Sequence, residues 1–215
     1  NEEAADLLAS LCMDSEAVIT QVKRERKKAF PPKLYDLTSL QREANRILGY
    51  TAQQTLDYTQ ALYEKKLVTY PRTDARVLYT AAAKEIYKNI SGLRNYEHTA
   101  EIAQHIIEQG NYKNLAKTRY VNDKQITDHY AIVPTGQGLN TLRSVSLTAQ
   151  RVYETIVRRF VCIFYPPAVY QKISLVTKIQ NESFFSSFKV LLDEGYLKIA
   201  TNSFAKRKAA DAMSS

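Results

Sequence analysis

The chain has 215 residues, 45% of them hydrophobic, and carries 30 Lys and Arg against 22 Asp and Glu, a net charge of +8 with a pI near 9.3. Such a content excludes a disordered tail and can bury a substantial core as one large domain or two small ones; the charge suits a polyanionic partner without proving one. Two cysteines, Cys12 and Cys162, are too few and too scattered for a disulfide framework or a thiolate zinc site, which favours a reducing compartment. The longest apolar stretches fall well short of a membrane span, and the acidic opening Asn1, Glu2, Glu3 and Asp6 before the short Leu7–Met13 run does not make a signal peptide.

In chain order, Glu2–Met13 reads as a short helix and Glu16–Ala29 as a half-buried strand, with Val18, Thr20 and Val22 alternating against polar neighbours. The second half of that strand is basic: Lys23, Arg24, Arg26, Lys27 and Lys28 surround Glu25. Such a run either attracts phosphate or protects a solvated strand edge from aggregation, and the sequence leaves both open. Pro31 and Pro32 break the strand and mark a domain crossing.

Thr38 followed by Gln41 predicts a capping box, Leu40, Ala44, Ile47 and Leu48 an apolar helix face, and Gly49 a helix stop. Thr51 with Gln54 opens a second helix in the same way, its buried stripe running through Leu56, Thr59, Leu62 and Tyr63 toward Leu67. Two helices joined through Gly49 and Tyr50 have the form of a helix-turn-helix, for which Gln53, Gln54 and Gln60 would be the base-reading candidates. A regulator built that way leaves the next segment unexplained.

That segment, Leu67–Asp74, sets a phenol, a guanidinium and a carboxylate within five residues: Tyr70, Arg72 and Asp74. A tyrosine hydroxyl is a weak nucleophile at neutral pH, so a cation beside it is needed to favour phenolate and to hold charge developing on phosphorus. Arg72 has the planar fork that matches phosphate oxygens, a match that lysine would lose. Pro71 pushes Tyr70 into an extended conformation and presents its ring from a loop. Asp74 either orients Arg72 or caps the following turn.

Beyond it, Tyr79–Asn89 and Glu97–Gln109 read as helices, the first amphipathic through Ala82, Ile86 and Tyr87, the second through Ile102, Ile106 and Ile107. His98 and His105 read as surface or packing residues, since two histidines without a third ligand make a poor metal site. Thr148–Phe164 forms a longer helix with Val152, Ile156, Phe160 and Ile163 inward and Arg151, Arg158 and Arg159 facing elsewhere, ended by Pro166 and Pro167. From Val169 the pattern turns to strand: Tyr170 to Ile179, a break at Asn181–Ser183, Phe184 to Leu192, and a turn near Gly195. Lys206, Arg207 and Lys208 begin a frayed basic end.

Two blocks carry a resemblance. The first runs Pro31, Pro32, Lys33, Leu34, Tyr35, Asp36, Leu37, Thr38, Ser39, Leu40, Gln41, Arg42, Glu43, Ala44 and Asn45, and continues through Gly49, Tyr50, Thr55, Leu56, Gln60, Leu62, Tyr63, Glu64 and Lys65 into the Tyr70 segment. The second is Thr127, Asp128, His129, Tyr130, Ala131, Ile132, Val133, Pro134 and Thr135. The first block resembles the gate region of type IA DNA topoisomerases, most of all their topoisomerase III branch, and the second resembles that family's histidine motif. The resemblance spans most of the chain.

The resemblance implies a multi-domain α+β fold, in which a mainly helical gate domain at about residues 32–162, bearing the catalytic tyrosine, is inserted into a β-rich arch domain of a toroidal enzyme. The arch domain would be discontinuous, residues 1–31 plus 163–215. Tyr70 would attack single-stranded DNA and form a 5′-phosphotyrosyl bond, with Arg72 neutralising phosphate charge and His129 contacting phosphate near the break. Strand passage and resealing would then need no nucleotide cofactor. Gln41 and Arg42 either line the strand path or face solvent.

No metal ligand is expected in this chain. Magnesium in the full-length enzyme is expected through the Toprim domain, whose paired Asp motif is absent here, so the fragment alone should not relax supercoils. The resemblance further implies DNA, mainly single-stranded, as partner, no membrane, a monomeric full-length enzyme, and a cytoplasmic, nucleoid-associated place in bacteria. Two positions depart from the family pattern: Ala75 stands where serine is usual, and Tyr130 where a second histidine is usual. The alternatives are a non-catalytic single-strand-binding module and a helix-turn-helix regulator.

Overall fold

The chain changes character at its prolines. In the computed structural model, which describes residues 2–13 and 15–205, one unit runs to Phe30 and resumes at Pro167–Gly195, while the other comprises Pro31–Pro166 and the segment from Tyr196. Asn1 and the basic end from Lys206 lie outside the described residues. Among the described residues, no helix is long and apolar enough to cross a membrane.

The first unit holds helix α1 (Glu2–Cys12) and three strands, β1 (Ala17–Ala29), β2 (Ala168–Ile179) and β3 (Glu182–Asp193), in the order β1-β2-β3 with both pairings antiparallel. The β2–β3 hairpin turns at Gln180, which takes a left-handed φ of 54°. A register shift between Ile19 and Gln21 bulges Thr20 out of the ladder, and its hydroxyl donates to the Val176 carbonyl at 3.2 Å. Direct cross-strand partners share a face. The pairing therefore splits the basic run: Lys23, Glu25 and Lys27 share a face with Lys172 and Lys189, whereas Arg24 and Arg26 lie on the other with Ile173 and Phe188. Glu25 bridges Lys23 at 2.8 Å and Lys27 at 3.0 Å, and these bonds hold its carboxyl down to about 2. The strand expected to be half-buried is exposed over most of its length, Val18, Ile19 and Val22 included. A three-stranded sheet is a single layer and needs a second to bury a face.

In the second unit, α2 (Leu37–Leu48) and α3 (Ala52–Glu64) pack on each other, and α3 packs on the longest helix, α7 (Leu147–Cys162). The N-cap of α2 is Asp36, not Thr38: its carboxylate accepts from the Ser39 amide at 2.7 Å, and Ser39 Oγ accepts from the Asp36 amide. Asp is an equally good cap and sits two residues earlier, where Ser39 can reciprocate. Thr51 and Gln54 form the capping box of α3 as expected, and Gly49 closes α2 at φ 72°. Leu40, Ala44, Leu56, Thr59 and Leu62 are buried between these helices and α7.

The helix expected over Tyr79–Asn89 breaks at Glu85 into α4 (Thr80–Lys84) and α5 (Ile86–Gly92), and Tyr87 points outward. Helix α6 (Ala100–Gln109) begins three residues later than expected and buries Ala103 and Ile106. Val152, Ile156, Phe160 and Ile163 all face the core. Arg158 and Arg159 do not simply point away. Arg159 donates to the Lys33 carbonyl at 3.1 Å and lies over the Tyr35 ring at 4.1 Å, while Arg158 bonds Glu154 and the carbonyls of Ile199 and His98.

Ile163 to Pro166 and the described residues from Tyr196 onward, expected in the β-rich domain, pack with the helices. The Tyr196 amide donates to the Pro166 carbonyl at 3.0 Å, α8 (Leu197–Ala200) brings Ile199 into the core, and Ser203 donates from both its amide and its hydroxyl to Glu154 at 2.6 Å. The physical reason is Glu154, only 3% exposed: a buried carboxylate requires donors, and Ser203 and Arg158 supply them.

Candidate active site

The segment after α3 leaves the helix through Lys66, a non-glycine residue at φ 61°, and then runs extended through Leu67, Val68, Thr69 and Tyr70. It pairs antiparallel with the second motif. The Thr69 amide donates to the Val133 carbonyl at 3.0 Å, the Thr135 amide to the Leu67 carbonyl at 3.0 Å, and Val68 bridges Pro134. Two threonine hydroxyls extend the pairing beyond the backbone. Thr69 Oγ1 donates to the Ala131 carbonyl at 2.9 Å and accepts from the Val133 amide, and Thr73 Oγ1 donates to the His129 carbonyl at 2.8 Å while accepting from the Ala75 amide. The backbone pairings keep one register, which sets Thr73 opposite His129 and Tyr70 three positions earlier.

This pairing is itself anchored. The Ile132 amide donates to the Tyr35 carbonyl, the Ala131 amide to the Val77 carbonyl, and the Leu37 amide to the Thr73 carbonyl, tying both motifs to the start of α2. At the far end, Asn89 Nδ2 donates to the Pro134 carbonyl at 2.8 Å. Gly136 then follows at φ 75°, where a Cβ would come 2.5 Å from the Asn89 carbonyl oxygen. Only glycine fits that approach.

The Tyr70 ring is half-buried and lies 4.3 Å from the His129 ring, tilted by 41°, with Tyr63 against it edge-on at 5.4 Å. No hydrogen bond joins the Tyr70 hydroxyl to His129, so the imidazole lies across the ring face rather than in line to take the phenol proton. Arg72 is exposed and makes no hydrogen bond or ion pair with the described residues, which leaves its donors available to an external anion. Asp74 is also exposed and does not pair with Arg72; neither expectation for it, orienting Arg72 or capping the turn, has a matching contact among the described residues. Tyr70 and His129 therefore meet across the paired motifs, and both His129 and Arg72 are exposed to solvent.

A cleft of about 590 Å³ opens beside Tyr70, lined by Tyr63, Lys66, His129, Tyr130 and Gln137 among others. Burial raises the Tyr130 phenol above its ordinary value, and its ring lies edge-on to Tyr79 at 5.9 Å. Neither Gln41 nor Arg42 lines this cleft. Gln41 donates to the Ala52 carbonyl at 3.0 Å, bridging α2 to the first turn of α3, while Arg42 is exposed on α2. The base-reading candidates of the helix-turn-helix alternative are all engaged within α3: Gln53 bonds Asp57, Gln54 caps Thr51, and Gln60 bonds Glu64. His98 and His105 sit at the surface against Tyr96 and Tyr165. Among the described residues, no three His, Cys, Asp or Glu side chains converge to hold a metal ion.

The roles of Tyr63, Thr69 and Thr73 were missed from sequence. Tyr63 reads as one more member of a buried stripe, yet it is 39% exposed and faces the nucleophile candidate. Helical phase could have separated it from Leu62, which is fully buried. The threonines gave no signal, because their bonds reach residues about sixty positions away.

A family model described as DNA topoisomerase matches residues 1–214. The DNA topoisomerase 3 of a Bacillus cereus strain is 33% identical over 214 residues, which is 98% of this chain and 28% of that protein. The DNA topoisomerase 3 of Bacillus subtilis strain 168 is 34% identical over 197 residues, 91% of this chain and 26% of that protein. The chain thus spans little more than a quarter of the length of these relatives. A full-length topoisomerase I structure from Thermotoga maritima superimposes with a TM-score of 0.63 at 21% identity, covering 93% of this chain and 32% of that one, and shares the fold. The match over residues 1–214 decides the family, and the relatives and the shared fold agree with it: the chain belongs to the DNA topoisomerases that this family model describes.

Proposed function

We propose that this chain supplies the nucleophile of a type IA topoisomerase that cuts and rejoins single-stranded DNA. The observation that carries the reading is the meeting of the two motifs, which brings Tyr70 and His129 into ring contact beside an open cleft. In the reaction, the Tyr70 oxygen loses its proton and bonds to phosphorus, and the bond from phosphorus to the upstream 3′ oxygen breaks. That oxygen takes up a proton as a 3′ hydroxyl. The tyrosine is left esterified to the 5′ phosphate, and the reverse attack reseals the strand with no nucleotide consumed.

Arg72 neutralises a nonbridging oxygen as charge builds at phosphorus, a contribution whose removal costs about 10²- to 10³-fold in rate for comparable groups. His129 donates a hydrogen bond to phosphate near the break, which either protonation state of an imidazole allows. Exposed Arg42 meets the strand further along, while Gln41 acts by fixing the α2–α3 connection. The helical unit, Pro31–Pro166 with the segment from Tyr196, is the gate, and the strand-bearing unit is the arch.

Among the described residues no cluster of acids would hold magnesium, and in the whole enzyme that ion would be held by carboxylates outside this chain. The whole enzyme works on DNA as a monomer in the bacterial cytoplasm, at the nucleoid. Tyr70→Phe in the whole enzyme decides the matter, using single-stranded DNA and denaturing electrophoresis to trap the adduct. Wild type is expected to yield a protein–DNA adduct bearing the 5′ phosphate, and the variant none. An adduct that survives the loss of that hydroxyl overturns the reading.

A further inference from the structure

The cleft beside Tyr70 has walls unlike a phosphate site. Three of its lining side chains are aromatic rings besides Tyr70 itself: Tyr63, His129 and Tyr130. Its charged side chains balance, Lys66 against Glu64. The cation suited to phosphate, Arg72, does not line it. A volume of about 590 Å³ lies within the range of small-molecule sites. The walls are also fixed before any ligand arrives. Thr135 Oγ1 donates to the Lys66 carbonyl at 2.5 Å and holds that residue in its left-handed conformation, and the Gln137 amide is tied to Thr135 Oγ1 at 3.0 Å. A non-glycine residue held at positive φ beside a reactive group is where backbone strain accompanies function.

We infer that this cleft is a nucleobase subsite, in which Tyr63 and Tyr130 form the stacking walls for a base of the strand held at Tyr70, and the Gln137 side-chain amide meets the edge of that base. The proposal rests on the reading of single-stranded DNA as substrate and adds where a base, as opposed to a phosphate, is held. Its features each have a match in that ligand. Aromatic rings stack on any base, which suits a site that must act at many sequences. The Tyr130 phenol is neutral at ordinary pH, and its ring adds a stacking face without adding charge. The near-zero net charge of the walls suits a neutral base, with the phosphate that Tyr70 attacks at the rim, within reach of His129.

The test separates bases from backbone. The chain carrying Tyr70→Phe, which cannot form an adduct but keeps the ring, is titrated with an octamer of thymidine nucleotides and with an octamer of abasic sugar-phosphates of equal charge. Binding of the thymidine octamer is expected to be tighter by about fivefold or more, the size of one stacked base. Adding Tyr63→Leu or Tyr130→Leu should lower the preference to near one, acting on the thymidine octamer alone, whereas Tyr63→Phe and Tyr130→Phe should preserve it. A preference that persists through both Leu changes overturns the subsite, as does equal loss on the two octamers. Because no covalent step enters, failure here is distinguishable from failure of the nucleophile assignment, which the adduct alone reports.

Discussion

The two units of this chain solve burial in opposite ways. The helical unit hides Leu40, Leu62, Tyr153, Ile156 and Phe160 completely and ties the deeply buried carboxylate of Glu154 to three donors. The sheet leaves Val18, Ile19, Phe185 and Phe188 exposed and holds together through its ladder and its surface charges. The difference teaches where a change in sequence will register. Stability resides in the helical packing, and Tyr70 and His129 are mounted on it; the sheet leaves large apolar side chains exposed.

The sharpest way to break that comparison is to truncate one large side chain in each unit. Phe160→Ala should cost about 3–5 kcal/mol through lost burial and a residual cavity, whereas Phe185→Ala, at a site 81% exposed, should stay within about 0.5 kcal/mol. Urea unfolding midpoints at constant slope measure both, and equal losses would mean that the sheet has a covered core after all. The cysteines give a second contrast. Cys162 in α7 is 3% exposed, and burial pushes its thiol up to about 12, while Cys12 in α1 is partly exposed. Iodoacetamide at pH 8 should alkylate Cys12 in minutes and leave Cys162 intact until the fold opens, as mass spectrometry of native and urea-treated protein would report.

The smallest expected effect belongs to Glu25. Its carboxyl is held down to about 2 by Lys23 and Lys27, so its stabilising contribution is full above the unfolded carboxylate value of 4.5 and fades as pH falls from there toward 2. Replacement by Gln should lower the sheet's melting temperature slightly at pH 7 and low salt, and not at pH 2. Added salt should erase the difference, because the ion pairs are at the surface. A difference that grew on acidification would contradict the ion-pair assignment.

Much of this was legible from local chemistry. Thr51 and Gln54 announced the start of α3, Gly49 the end of α2, and the alternation from Tyr170 to Leu192 the hairpin, because each signal involves partners within a few residues. Tyr70 and His129 were legible as motif residues. What stayed hidden depends on distant partners. Asp36 displaced Thr38 as a cap through Ser39 and through the contact of Leu37 with Thr73. Glu154 owes its burial to Ser203, 49 positions away, as well as to the nearby Arg158, and nothing local to it announces that partner. Gln41 showed no sign that it would brace Ala52, and the exposure of β1 could not follow from an alternation that assumes a covering layer.

The threonine-reinforced pairing of the two motifs has one more consequence. Thr69 and Thr73 clip the histidine segment to the tyrosine segment, and Asn89 braces that pairing from within the excursion between them, so the meeting of phenol and imidazole depends on residues 80–120 keeping their own packing. Ile86, Ile90 and Ile106 of that excursion are buried, whereas Lys113 and Asn114 are exposed. An engineer wishing to attach a reporter to this protein would choose those two positions and leave Asn89 untouched.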